Sequence, residues 1–279
     1  MKTIETLVAD VHRVFQLPHE FAPERQERFG AFLAKAIGDK INQPPREPRL
    51  SMSAIGTKCN AKLWYKMNKA EAAEALPVEA KIKFLYGEIL EQLLLFLAEE
   101  AGHRVEGRQT AMELEGIPGS RDVVIDGVTV DVKSASTRSF QKFKSHLEYA
   151  EDDFGYIDQL QGYLKAGDND PLVTDKTRAA FFVIDKTLGH ICLDIHPRAE
   201  LDFAMLARVK KGMVAEKKPP RRLYEPEPDG KSGNMKLATV CSYCEFKRTC
   251  WPGLRGFAYA NGPRYLTRVE KLPDVPEFA

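Results

Sequence analysis

The sequence predicts an α/β fold with a mixed central sheet flanked by helices. Apolar residues recur at helical spacing in the first hundred positions and again after residue 152, and short β-branched runs fill the middle. The elements come in the order helices, three strands, helix, two strands, helix. A chain of 279 residues accommodates one large domain or two small ones.

Residues 1–42 read as amphipathic helix, broken by Pro44, Pro45 and Pro48. Ser51 or Ser53 is placed to cap a short helix that carries Cys59, Trp64 and Tyr65. Over residues 78–101, Ile82, Leu85, Ile89, Leu93 and Phe96 mark one long helix, ended by Gly102. Residues 105–114 read as a strand. Residues 121–125 and 128–133 are two β-branched runs around Asp126-Gly127, a strong signal for a two-residue hairpin turn. Asp152-Asp153 open a helix to about Ala166. Strands at 179–185 and 190–196 flank a Lys-Thr-Leu-Gly turn, a last helix covers 197–216, and the Pro- and charge-rich stretch 217–234 reads as surface loop.

Lys and Arg number 41 against 40 Asp and Glu, a net charge of +1, which excludes a generally basic coat for nucleic acid and leaves local patches for that purpose. With 43% hydrophobic and 29% charged residues the chain is not wholly disordered. The most apolar stretch, residues 93–98, is far short of the roughly 20 residues of a membrane span. The acid-bearing start is not a signal peptide. Five cysteines, an odd number, do not make a disulfide scaffold. A reducing cytoplasm without membrane attachment is the expected setting. The six histidines form no familiar metal spacing.

The Asp126-Gly127 turn dictates a register. Ile125 faces Val128, Val124 faces Thr129, Val123 faces Val130, and Asp122 comes opposite Asp131, with Lys133 on the same face as Asp131. Two carboxylates about 5 Å apart repel by about 3 kcal/mol at an effective dielectric near 20. Solvent, a shared proton or a divalent cation relieves that, and clustered hard oxygens on a sheet suit Mg²⁺ or Mn²⁺. Glu91, four residues after Gly87 on the preceding helix, offers a third acid, with Glu88 as its competitor. Gly87 is expected to let a backbone or ligand come close. Gln159 and Tyr163 share one face of the helix after the hairpin.

Cys241-x-x-Cys244-x5-Cys250 is a tight three-thiol group, and a closed thiolate site needs a fourth member from Cys59 or Cys192. Cys192 reads as an ordinary strand residue. The spacing by itself allows a four-cysteine zinc site.

Gly87-x-x-x-Glu91, Gly119-x-x-Asp122, Asp131-Val132-Lys133 and Gln159-x-x-x-Tyr163 stand in that order over residues 50–255. Together they resemble the PD-(D/E)XK nuclease superfamily, in its RecB-type branch with a Q-x-x-x-Y motif. Two positions depart from the usual pattern: Glu91 stands where many relatives have His, and Arg121 precedes Asp122 where proline is common. The resemblance implies a restriction-endonuclease-like core at 51–255, an N-terminal helical region at 1–50 and a C-terminal tail at 256–279. It implies that Glu91, Asp122, Asp131 and the Val132 carbonyl bind Mg²⁺ or Mn²⁺. Lys133 would then position or help deprotonate the attacking water and stabilise the phosphate, with Gln159 and Tyr163 holding the lysine and the DNA backbone.

One upstream cysteine with the downstream group resembles the iron–sulfur subset of these nucleases, found in helicase–nucleases and CRISPR-adaptation nucleases. It implies a [4Fe–4S] cluster on Cys59, Cys241, Cys244 and Cys250, stapling the N-terminal helical region to the C-terminus. The implied activity is a metal-dependent DNA exonuclease of phage or bacterial recombination, repair or degradation, acting in the cytoplasm (the host's, if phage-encoded). DNA ends or single strands are its expected partners, with a recombinase, single-strand-binding protein or helicase. An endonuclease, a CRISPR-adaptation-type trimming nuclease, an inactive DNA- or helicase-binding homologue and a zinc-bearing adaptor are the alternatives. Arg138, Phe140, Lys142, Phe143 and Lys144 form an expected basic-aromatic loop for single-strand binding. A second basic run spans residues 208–222.

Overall fold

The computed structural model describes residues 2–42 and 47–278. Its helices are α1 (Leu7–Gln16), α2 (Pro23–Ile41), α3 (Asn60–Asn68), α4 (Val78–Glu100), α5 (Thr137–Lys144), α6 (Tyr156–Ala166), α7 (Phe203–Val214) and the single turns α8 (Thr239–Ser242) and α9 (Lys247–Cys250). Its strands are β1 (Val105–Glu106), β2 (Thr110–Leu114), β3 (Ile117–Arg121), β4 (Val123–Ile125), β5 (Val128–Ala135), β6 (Arg178–Asp185), β7 (Ile191–Pro197), β8 (Glu227–Pro228), β9 (Met235–Lys236), β10 (Arg255–Tyr259), β11 (Gly262–Arg268) and β12 (Glu277–Phe278). Two compact units result. The first takes in the described residues before Pro48, Ser51–Gly56 and Pro77–Arg208; the second takes in Pro48–Leu50, Thr57–Leu76 and the chain from Val209 onward.

The first unit is α/β, with a mixed sheet in the order β1-β4-β5-β6-β7. β5 and β6 run parallel and the other pairs antiparallel. A parallel pair needs a crossover, and α5 and α6 supply it. β6 is a continuous apolar run buried on both faces, as a central strand must be. Its Ala180, Phe182 and Ile184 meet α1 and α4 through residues such as Leu7, Val11 and Leu94. Its Phe181 and Val183 meet α5 and α6 through Phe140, Phe143, Leu160 and Leu164.

The hairpin register is the expected one: Ile125 pairs with Val128, Val124 with Thr129 and Val123 with Val130. Asp126 and Gly127 both take positive φ, 49° and 83°, as a tight mirror-image turn demands. Asp152 accepts the amides of Gly155 and Ile157 at 2.9 and 2.8 Å, so it organises the start of α6, although the helix itself begins at Tyr156.

Several expectations need correction. Residues 105–114 form two strands interrupted at Gly107, whose φ of 58° turns the chain. Ser51 precedes a short 3-10 turn, and Cys59, not a serine, precedes α3. The last long helix starts at Phe203. Residues 138–144 lie in helix α5, not in a loop. Pro44 and Pro45 lie outside the described residues.

In the second unit, β12-β10-β11-β9-β8 form an antiparallel sheet around the fully buried Phe257 and Leu266. Residues 256–279, expected as a tail, therefore supply three of that sheet's five strands. α3 belongs to this unit and α1 and α2 to the other, so the division at residue 50 is not the one the fold makes.

Candidate active site

Asp131 and Lys133, two residues apart, share one face of β5, and Glu91 comes from α4. Asp122 does not enter a ladder pair with Asp131. It sits between β3 and β4, and its Oδ2 accepts the Val132 amide at 2.9 Å. Asp131 is buried, and its Oδ2 lies 2.5 Å from Lys133 Nζ. Gln159 Nε2 donates to Asp131 Oδ1 at 3.3 Å. Tyr163, one turn on, is buried. Asp122, Val132, Asp131, Lys133 and Gln159 are thus linked around the middle of β5, and Glu91 joins them through Gln109.

Two residues of this site carried no sequence signal. Gln109, in left-handed conformation with φ 50°, donates from Nε2 to Glu91 Oε1 at 2.8 Å and to Asp122 Oδ1 at 3.4 Å. The Tyr156 ring lies 5.1 Å from Lys133 Nζ, close enough for cation–π attraction. The competing acid, Glu88, is instead paired with Lys40 at 2.6 Å. At Gly87, an added Cβ would meet only Ser134 Oγ at an ordinary 3.6 Å, so no close protein approach requires glycine there.

The electrostatics are those of crowded acids removed from water. Burial, then the charges of Asp131 and Glu91, hold Asp122 well above the usual carboxylate range. Burial pushes Glu91 up to about 7, with Glu88 and Asp131 adding to it and Gln109 opposing. Burial would lower Lys133, but the charges of Asp131 and Asp122 outweigh it and raise the ammonium above its ordinary range. Burial first, then Asp131 and Asp122, push Tyr163 up to about 12. A divalent cation shared by Glu91, Asp122 and Asp131 would reverse the penalty on both raised acids, but ligand oxygens of all three do not come within 4.8 Å of one another here, so holding one ion would require these side chains to draw together.

The expected DNA-binding residues divide. Arg138 and Lys144 are exposed on α5. Lys142 donates to the Glu151 carbonyl at 2.6 Å. Phe140 and Phe143 are core residues, 1% and 4% exposed, and cannot stack on a base in this fold. In the second basic run, Lys210 is buried, Arg208 pairs with Glu115 at 2.7 Å, and the Arg222 guanidinium lies 4.0 Å from the Trp251 ring centre.

Cys59, Cys241, Cys244 and Cys250 line one small pocket in the second unit, beside Tyr65 and Trp251. Burial, then the neighbouring thiols, push Cys241 up to about 12, and burial pushes Cys244 up to about 11. Cys192 lies elsewhere, buried in β7. Burial likewise raises Cys250, and the Cys59 sulfur adds to the rise at Cys241, Cys244 and Cys250; a cation beside these thiols would stabilise their ionised form.

Among the described residues, three metal-ligating atoms come within 4.8 Å of one another only at His146, Asp194 and His196. Here Asp194 accepts from His146 Nδ1 at 2.7 Å, His196 Nε2 at 3.0 Å and the Leu147 amide at 3.0 Å. Burial opposes the ionised form, but His196 and the Leu147 amide hold the carboxylate below its ordinary range. The group pins the segment after α5 to β7.

No family model matches the chain, and no curated protein does. Among solved structures, the chain is similar to one described as "Crystal structure of SSO0001", with a TM-score of 0.44 and 15% identity over 79% of this chain and 95% of that one.

Proposed function

We propose that this chain is a metal-dependent deoxyribonuclease of the PD-(D/E)XK type that works from DNA ends. The observation that carries the reading is the linkage of Asp122, Asp131 and Lys133 at the middle of β5, with Glu91 joined through Gln109 and with Asp122 and Glu91 raised by burial and by their acidic neighbours. Gln159 bonded to Asp131 adds to it, since the Q-x-x-x-Y helix is the fourth motif of the resemblance.

Glu91, Asp122, Asp131 and the Val132 carbonyl would hold Mg²⁺ or Mn²⁺, which supplies Lewis acidity and an activated water. Asp131 and Asp122 keep Lys133 protonated, so its part is that of a cation toward the phosphate and not of a base. Gln159 fixes the Asp131 carboxylate, and Tyr156 fixes the lysine head.

The preference for a [4Fe–4S] centre over zinc rests on the resemblance to the iron–sulfur subset of these nucleases, and the four cysteines lining one pocket support a shared site. Such a centre would join α3 to the α8–α9 segment inside the second unit, and not to the helices of residues 1–50.

The test is digestion of end-labelled linear DNA and closed circular DNA with Mg²⁺ or Mn²⁺. Loss of the linear form alone is expected. Equal cleavage of circles favours an endonuclease, and no cleavage with either ion favours a DNA-binding homologue without activity.

A further inference from the structure

Phe154 presents an exposed ring on a rigid tip. It is 50% exposed, yet the backbone around it is held on both sides. Asp152, 2% exposed, accepts the amides of Gly155 and Ile157. Gly155 takes φ 75° and packs so closely on Gly56 that a Cβ added to either glycine would fall within 2 Å of the other's carbonyl oxygen. A single exposed aromatic residue is ordinary on a flexible loop. This one stacks on Tyr156, centroids 5.6 Å apart at 28°, and Tyr156 in turn faces Lys133 Nζ at 5.1 Å. The line Lys133, Tyr156, Phe154 thus leads from the acidic cluster outward to solvent.

We propose that Phe154, backed by Tyr156, is a stacking platform for one unpaired nucleobase beside the phosphate held at Lys133, so that the substrate is a single strand or an opened end. This rests on the nuclease reading above. An aromatic face accepts any base and gives no sequence preference, whereas the bases of an intact duplex are already stacked on their neighbours. It replaces Phe140 and Phe143, which the core consumes, as the aromatic contact.

The test measures binding of three labelled probes to the full chain with Ca²⁺ as a slow-cleaving ion: a single strand, an abasic single strand of equal length, and a blunt hairpin duplex. The wild type is expected to prefer the base-bearing strand. Phe154→Ala should weaken binding of that strand roughly five- to hundred-fold while changing abasic binding little, and Phe154→Trp should restore it. The platform is overturned if Phe154→Ala keeps the wild-type ratio between base-bearing and abasic strands, or if the tryptophan variant behaves like alanine. If the wild type binds and cuts DNA with that outcome, only the platform fails. If the wild type neither binds nor cuts any DNA, the nuclease reading falls with it.

Discussion

The Asp122 carboxylate is tied to the backbone amide of Val132, Oδ2 to N at 2.9 Å, and so lies against the residue between Asp131 and Lys133. A carboxylate held by a main-chain donor keeps its place whatever the side chains do. Its Oδ1 faces Gln109 at a loose 3.4 Å and is the oxygen left for an ion.

That arrangement separates catalytic from structural variants. Asp131→Ala and Lys133→Ala are each expected to lower DNA hydrolysis by about 10²–10³-fold or more with circular dichroism close to wild type, and Lys133→Ala should also lower the melting temperature because it leaves the buried acids unpaired. Either variant retaining wild-type cleavage with Mg²⁺ and Mn²⁺ would remove the site assignment.

The raised acids make a pH prediction whose sign follows from proton binding. Asp122 and Glu91 have folded-state pKa values above their unfolded ones, Glu91 at about 7. Between the ordinary carboxylate range and about 7 the folded chain holds protons the unfolded chain has released, so stability falls as pH rises. In EDTA the melting temperature should drop from pH 5 to pH 8, with a smaller drop for Glu91→Gln. Mn²⁺ should restore stability most at the upper end, because it binds the ionised acids. A metal-free melting temperature that climbs over this range would contradict the crowding.

The hairpin was legible because Asp126-Gly127 has one good conformation between two β-branched runs, and the register of Asp131 and Lys133 followed from it. Other parts lacked such a signal. Phe140 and Phe143 sit among basic residues, and only the helical turn of α5 shows that their shared face is the buried one. β11 reads Gly-Pro-Arg-Tyr-Leu-Thr-Arg, where proline and two arginines mask a strand whose sole deeply buried member is Leu266. Gln109 and Asp194 reach their partners across the fold, and no local spacing marks them.

The thiol pocket has its own signature. Protein purified without oxygen should be brown, with absorbance near ~400 nm and with iron and sulfide present. Cys59→Ala should lose the colour and lower the melting temperature, since a link closing a loop of about 180 residues contributes on the order of 5 kcal/mol. Cys192→Ala, outside the pocket, should keep the colour. A colourless protein with one zinc per chain would replace the iron–sulfur reading with a zinc site.

The turn that carries Phe154 is testable through its glycines. A Cβ on Gly56 would lie 1.9 Å from the Gly155 carbonyl oxygen, and one on Gly155 would lie 1.7 Å from that of Gly56. Both obstacles are backbone, so neither a rotamer change nor a flexible side chain relieves them. Gly155 also has φ 75°, which an alanine adopts at a cost of roughly 1–2 kcal/mol. Gly189 separates the two effects: its φ is 74°, but nothing lies within 4 Å of an added Cβ. Gly189→Ala should therefore cost only the conformational part, roughly 1–2 kcal/mol. Gly155→Ala should cost that and an overpacking penalty of about 1–3 kcal/mol besides, and Gly56→Ala should show the packing part without the conformational one. Denaturant melts of the three variants measure this directly. Equal losses at Gly155 and Gly189 would mean that the close approach contributes nothing, and that the Phe154 turn is held by Asp152 alone.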